Sequence, residues 1–166
     1  MFWKAHTPES SGVFSIVRED EVRMTDTELM RRAIGLARNG IGFVNPNPLV
    51  GAVIAKDGNI IGEGWHARYG EPHAERNALR DCKGSPQGAV MYVTLEPCQM
   101  CAGAIVQARI PKVVAGCMNP KAGCAGSIID MFHVDKFNHK VEFSYGIMED
   151  ECRALMQDFF RKLRKK

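Results

Sequence analysis

The chain has 166 residues, 45% of them hydrophobic and 25% charged, with a formal net charge of +3. That apolar content supports a packed core and excludes a disordered chain, the length fits one domain, and the small charge permits RNA binding without arguing for it. No apolar run approaches a membrane span and no secretory signal opens the chain, so a cytoplasmic location is expected, with cysteines reduced because their spacing is not that of a disulfide framework.

Met1 to Arg23 shows no period and is expected to be an irregular extension, dispensable to a domain running from Met24 to Lys166. Thr25 and Glu28 have capping-box spacing, and Leu29, Met30, Ala33, Ile34 and Ala37 follow at helical intervals until Arg38-Asn39-Gly40 closes the helix. Leu49 to Ala55 reads as a buried strand, Asp57-Gly58 as a hairpin turn and Ile60 to Trp65 as the partner strand. Pro72 precedes a helix over Ala74 to Cys82, with Ala74, Ala78 and Leu79 as its apolar face. A strand over Met91 to Leu95 leads to a helix starting at Cys101, and further strands follow at Lys112 to Cys117 and Val141 to Tyr145. Ile128 to Phe132 reads as a short apolar helix. Met148 to Lys166 reads as an amphipathic helix opened by acids and closed by bases, which suits its dipole. Helices between strands imply parallel pairing with right-handed crossovers. The expected fold is therefore α/β, a three-layer α/β/α sandwich on a mixed five-stranded sheet with one antiparallel hairpin at its start.

The chemistry concentrates in His73-Ala74-Glu75 and Pro97-Cys98-Gln99-Met100-Cys101. His73, Cys98 and Cys101 are three zinc ligands by type, and three protein ligands leave a fourth position open, as in a catalytic rather than a structural site. Zinc lowers the pKa of a water bound there, and Glu75, two residues from the histidine, is placed to move protons. A redox pair or half a zinc knuckle would also show Cys-x-x-Cys. Neither requires the upstream His-x-Glu, and a knuckle wants a second close pair of ligands. Placing the histidine and both cysteines at helix N-termini would favour the thiolates.

His-x-Glu followed by Pro-Cys-x-x-Cys is the signature of the zinc nucleobase deaminases. From Met24 to Lys166 the chain resembles the cytidine/deoxycytidylate deaminase superfamily, which implies a cytidine deaminase-like fold and a homodimer. Asn45-Pro46-Asn47-Pro48, Gly62-Glu63-Gly64-Trp65-His66 and Tyr69 to Leu79 resemble the deaminase domain of the riboflavin pathway, which acts on a pyrimidine nucleotide. That resemblance implies substrate contacts for Asn47 and His66; an ordinary strand-end histidine would look the same. Pro97 to Ala104, Pro120 to Ser127, Phe137 to Glu142 and Asp158 to Arg161 resemble bacterial tRNA adenosine deaminase, which converts the wobble adenosine of the anticodon loop to inosine. That resemblance implies contacts for Asn138, His139, Arg161 and Arg164, although a basic last turn also suits a solvated helix end. Backbone near Ala74 and Cys98 is expected to support the substrate. The two resemblances meet near Tyr92 to Cys98, so a recombinant chain and a divergent natural member both fit. Wobble adenosine is the favoured substrate, with the riboflavin-type pyrimidine, another nucleobase or nucleoside, and a silent RNA-binding module as alternatives. Apolar segments at Ala104 to Ile110 and Ile128 to Phe132 are candidate dimer faces.

Overall fold

The computed structural model describes residues 23–164, so all but the last residue of the extension expected over Met1 to Arg23 lies outside it. Helix α1 (Asp26–Ala37) starts at Thr25, whose hydroxyl accepts the Glu28 amide while the Glu28 carboxylate accepts the Thr25 amide, a complete capping box. Strands β1 (Gly51–Lys56) and β2 (Asn59–Trp65) form the expected hairpin. Asp57 and Gly58 both have positive φ, the demand of a tight turn between twisted strands. The remaining elements are α2 (Ala74–Asp81), β3 (Val90–Leu95), α3 (Gln99–Gln107), β4 (Lys112–Cys117), β5 (Glu142–Tyr145) and α4 (Glu149–Leu163).

The sheet order is β2-β1-β3-β4-β5. β1 is antiparallel to both neighbours, while β3, β4 and β5 pair in parallel. β2 and β3 therefore point the same way on either side of β1, and α2 is the crossover between them. Helices α2 and α3 cover one face, burying Ala74, Ala78, Ala102 and Ile105 against Ile54, Met91, Val93 and Val113. Helices α1 and α4 cover the other, burying Leu29, Met30, Ala33 and Cys152 against Val53, Tyr92 and Val114. The Tyr92 hydroxyl donates to Asp26 at 2.6 Å and ties the first turn of α1 to β3. The result is the expected three-layer sandwich.

Two glycines explain why α2 sits where it does. A Cβ on Gly62 or Gly64 of β2 would come within 2.5 Å of backbone atoms at Ala78 or Ala74. The helix therefore rests directly on the strand, which fixes the height of its N-terminus, where His73 and Glu75 lie.

Two expectations need correction. Helix α3 begins at Gln99, two residues before Cys101. Ile128 to Phe132 is not a helix. Ala125 bridges Asp130, and Gly126 has a φ of 135°. The amides of Ile128 and Met131 donate to the carbonyls of Gly123 and Cys124, and the Phe132 amide donates to the Asp130 side chain, so the segment makes no helical ladder. The connection from β4 to β5 is irregular and runs back along the α2/α3 face of the sheet, where Phe132 is buried.

Candidate active site

The site forms where α2 and α3 begin. His73 and Cys98 are the residues immediately before these helices, both extended (ψ 168° and 174°), and neither side chain caps its own helix. Both side chains are thus free to turn toward each other, and Cys101 joins them from the first turn of α3. One ligand atom from each of the three lies within 4.8 Å of the others. His73 Nδ1 is 3.5 Å from Cys98 Sγ and 3.6 Å from Cys101 Sγ. A tetrahedral zinc with bonds of about 2.3 Å to sulfur and 2.05 Å to nitrogen requires N···S separations of about 3.6 Å. The donor set and its spacing fit zinc through Nδ1 of the histidine.

The electrostatics agree with a cation site. The hydrogen bond from Cys101, with His73 beside it, pulls the Cys98 thiol down to about 4. The same contact and burial push the Cys101 thiol up. Both helix N-termini add positive potential. Glu75, in the first turn of α2, is 3% exposed, and burial raises its carboxyl above the usual range.

A cavity of about 180 Å³ opens beside these residues, with Asn47, His66, His73, Glu75, Cys98 and Asn119 in its wall. His66 is 3% exposed, and burial holds its pKa below the ordinary value. Its Nδ1 lies 3.3 Å from the Pro72 carbonyl and its Nε2 lies 3.1 Å from Asn47 Nδ2. A neutral ring satisfies both contacts only by donating from Nδ1 and accepting at Nε2. Asn47 is therefore oriented with its amide nitrogen toward the histidine and its carbonyl oxygen left for another partner. Asn77 Nδ2 donates to the carbonyls of Trp65 and Pro72 at 2.8 and 3.1 Å, clamping the loop that delivers His73.

Asn138 and His139 are not brought to this cavity. The Asn138 carbonyl accepts Arg109, and His139 Nε2 donates to the Ile110 carbonyl at 2.8 Å. These residues border the start of β4, whereas the cavity lies past its end, six residues or roughly 20 Å away. Ala74 is fully buried under α2 and its side chain is outside the cavity wall. Arg161 and Arg164 line a second, larger groove of about 910 Å³ between α4 and the loop after β4. The two cavities share Pro48, Leu95, Asn119 and Ala122.

Glu96 is the site residue that motif reading passed over. It is 2% exposed and accepts the amides of Asn119, Ala125 and Ser127 and the Ser127 hydroxyl. An acid closing an apolar strand directly before Pro97-Cys98 was the available clue.

The profile of the cytidine and deoxycytidylate deaminase zinc-binding region matches residues 23–117. The chain belongs to that family. A riboflavin biosynthesis protein RibD from Actinobacillus pleuropneumoniae is 42% identical over 86% of the chain and 39% of its own length. A tRNA-specific adenosine deaminase from Bacillus subtilis is also 42% identical, over 70% of the chain and 78% of its own length. A solved diaminohydroxyphosphoribosylaminopyrimidine deaminase/reductase from Thermotoga maritima superposes with a TM-score of 0.70 at 40% identity, covering 84% of this chain and 41% of that one. The chain thus spans about two fifths of the RibD-type proteins and most of the tRNA enzyme. Both relatives align across Tyr92 to Cys98, so the two resemblances are not confined to separate halves. As a member of this family of deaminases, the chain is a zinc-dependent hydrolytic nucleobase deaminase. Among the described residues no helix is long and apolar enough to cross a membrane.

Proposed function

We propose that this deaminase converts the wobble adenosine of a tRNA anticodon loop to inosine. The observation that carries the reading is the groove beside the catalytic cavity. The inner cavity is sized for one heterocycle. The outer groove continues from it past Asn119 and Ala122 and is lined by Lys121, Arg161 and Arg164 above Met156 and Phe160. An extruded loop base needs such a cavity, and its neighbouring nucleotides need cations for phosphate and flat apolar surface for stacking. The Bacillus subtilis relative, matched over most of its length, acts on tRNA by its name.

When bound, zinc supplies an open coordination position that polarises a water. Glu75 would take one proton from that water and give it to the ring nitrogen as the oxygen bonds to the amino-bearing ring carbon; it would then take the remaining hydroxyl proton and give it to the amino group, so that the C–N bond breaks, ammonia leaves and a ring carbonyl remains. Its burial raises its affinity for the proton it must carry. Asn47, held by His66, offers its carbonyl oxygen to an amino or ring N–H of the base.

A second reading rests on that Asn47–His66 pair, which would equally orient the pyrimidine nucleotide of the riboflavin pathway. Zinc-loaded protein given a wobble-adenosine stem-loop, cytidine, guanine and the riboflavin diaminopyrimidine, with ammonia measured, separates the readings. Ammonia from the stem-loop is expected. Ammonia from the diaminopyrimidine alone would replace this proposal, and RNA binding without ammonia from any of them would favour a silent binding module.

Arg161 is paired with Asp158, which makes Lys121 and Arg164 the better probes of the groove. Lys121→Ala with Arg164→Ala is expected to raise KM for the stem-loop about tenfold and to flatten its salt dependence by about two contacts. Zinc content should not change. Unaltered KM would remove the groove from the binding site.

A homodimer completes the proposal. Met100 is 62% exposed at the start of α3, and Ile128 and Ile129 are 56% and 47% exposed on the loop after β4. Three large apolar side chains left in water suit a self-complementary contact. Ile128→Glu is expected to shift sedimentation from dimer to monomer; a native chain that sediments as a monomer would dismiss the contact.

A further inference from the structure

We propose that Glu96 is a positioning residue that holds the rim loop, residues 119–127, over the catalytic cavity and so governs substrate affinity rather than the chemical step. Its carboxyl group lies beneath the loop. Oε2 accepts the Asn119 amide at 2.9 Å and the Ser127 hydroxyl. Oε1 accepts the amides of Ala125 at 2.9 Å and Ser127 at 3.0 Å. Among the described residues no Lys, Arg or His pairs with it. A buried carboxylate without a cation must take its compensation from such donors, and here all four come from one loop. The loop closes tightly on it. A Cβ on Gly123 would meet the carboxylate at 2.0 Å, and the Cys124 amide donates to the Pro97 carbonyl at 2.9 Å.

The rim matters because it carries Asn119 and Ala122, two of the four residues common to both cavities, and Lys121 of the outer groove. Glu96 itself precedes Cys98 by two residues, yet its four hydrogen bonds all run outward to the rim and none to His73, Glu75 or Cys101. Losing the carboxylate should therefore loosen the wall that grips the substrate while leaving the metal ligands in place. This inference rests on the cavity and is indifferent to which base is deaminated.

The test is Glu96→Gln in the zinc-loaded full chain, with Ser127→Ala as a milder variant that removes one donor. An amide replaces one accepting oxygen by a donor facing N–H groups, so the expected result is a KM raised about tenfold with kcat within about threefold of the native value and zinc stoichiometry unchanged. Amide exchange at Asn119, Ala125 and Ser127 should quicken at the same time, a readout that needs no substrate. Ser127→Ala should move KM and exchange in the same direction by less, and it decides the matter alone if Glu96→Gln does not fold. A fall in kcat at constant KM, loss of zinc, or unchanged exchange at all three amides would overturn the proposal.

Discussion

Glu75→Ala is expected to lower kcat by about 10³-fold or more while the protein keeps its full complement of zinc. General acid–base catalysis by one positioned side chain contributes about 10²–10⁴-fold, and in the proposed mechanism Glu75 serves both proton transfers: from water to the ring nitrogen, and from the added hydroxyl to the departing amino group. The geometry separates this role from metal binding. The ligand cluster comprises His73, Cys98 and Cys101, while Glu75 lies in the first turn of α2 and lines the cavity with His73 and Cys98. Glu75→Gln is the sharper variant because it keeps the volume of a side chain that is 3% exposed and removes only the titrating oxygen. It should be as inactive as Glu75→Ala and at least as stable. Elemental analysis and single-turnover ammonia release on the same samples check both halves. A Glu75→Gln variant retaining a tenth of native kcat would place the proton carrier elsewhere.

The reach of the sequence differs between the metal centre and its surroundings for a physical reason. His73, Glu75, Cys98 and Cys101 were legible because each belongs to a short local pattern at a helix start, and helix geometry fixes the relative positions within each pattern. The capping box at Thr25 and the Asp57-Gly58 hairpin were legible for the same reason: their determinants lie within four residues. The rim of the pocket is another matter. Glu96 reaches partners 23 to 31 residues away, and three of its four contacts are to backbone amides, which no residue identity announces. The apolar run at Ile128 is a loop for a similar reason, since the Ile128, Met131 and Phe132 amides donate to Gly123, Cys124 and the Asp130 side chain. Asn138 and His139 are singled out by resemblance alone, and because β5 runs parallel to β4 the residues that lead into it lie at the far end of the sheet from the cavity. The Gly62-x-Gly64 pair occupied the opposite position. It was read only as part of a motif, and the contact of α2 with β2 supplies its cause.

The Asn47–His66 pair shows why family membership and substrate are separable here. Its hydrogen bonds specify only that a carbonyl oxygen faces the cavity, a feature that both an adenine and an aminopyrimidine can use. Discrimination then falls to what lies beyond the base. In the proposed function, the RNA strand flanking the base would continue along the Lys121–Arg164 groove. The proposed function therefore assigns substrate choice to the rim and α4 rather than to the metal centre, and the chain is equally identical to relatives of both kinds.

Removing one metal ligand is expected to cost both the metal and a sizeable part of the stability. In Cys98→Ala the remaining His73 and Cys101 provide two donors, and two donors hold zinc orders of magnitude more weakly than three. A ligand present at a thousand times its Kd stabilises the folded chain by about 4 kcal/mol. At about 2–4 °C per kcal/mol for a domain of this size, the variant should melt about 8–16 °C below the zinc-loaded native protein. Chelation of the native protein should give the same drop, and the variant should then be insensitive to chelator. The sign with pH follows from the ligands, since the imidazole and both sulfurs must lose protons to bind. The zinc-dependent part of Tm shrinks steadily as pH falls, because the Cys101 thiol, whose proton the contact with Cys98 and burial hold more tightly than usual, and then the His73 imidazole compete with the metal. Cys82→Ala is the matched control, because Cys82 follows α2 at its far end and belongs to no ligand cluster. Scanning calorimetry with and without chelator, on samples of measured zinc content, decides the result. A Cys98→Ala variant that keeps stoichiometric zinc, or a native Tm indifferent to chelator, would mean that the Nδ1–Sγ–Sγ cluster at the two helix starts is not what binds the metal.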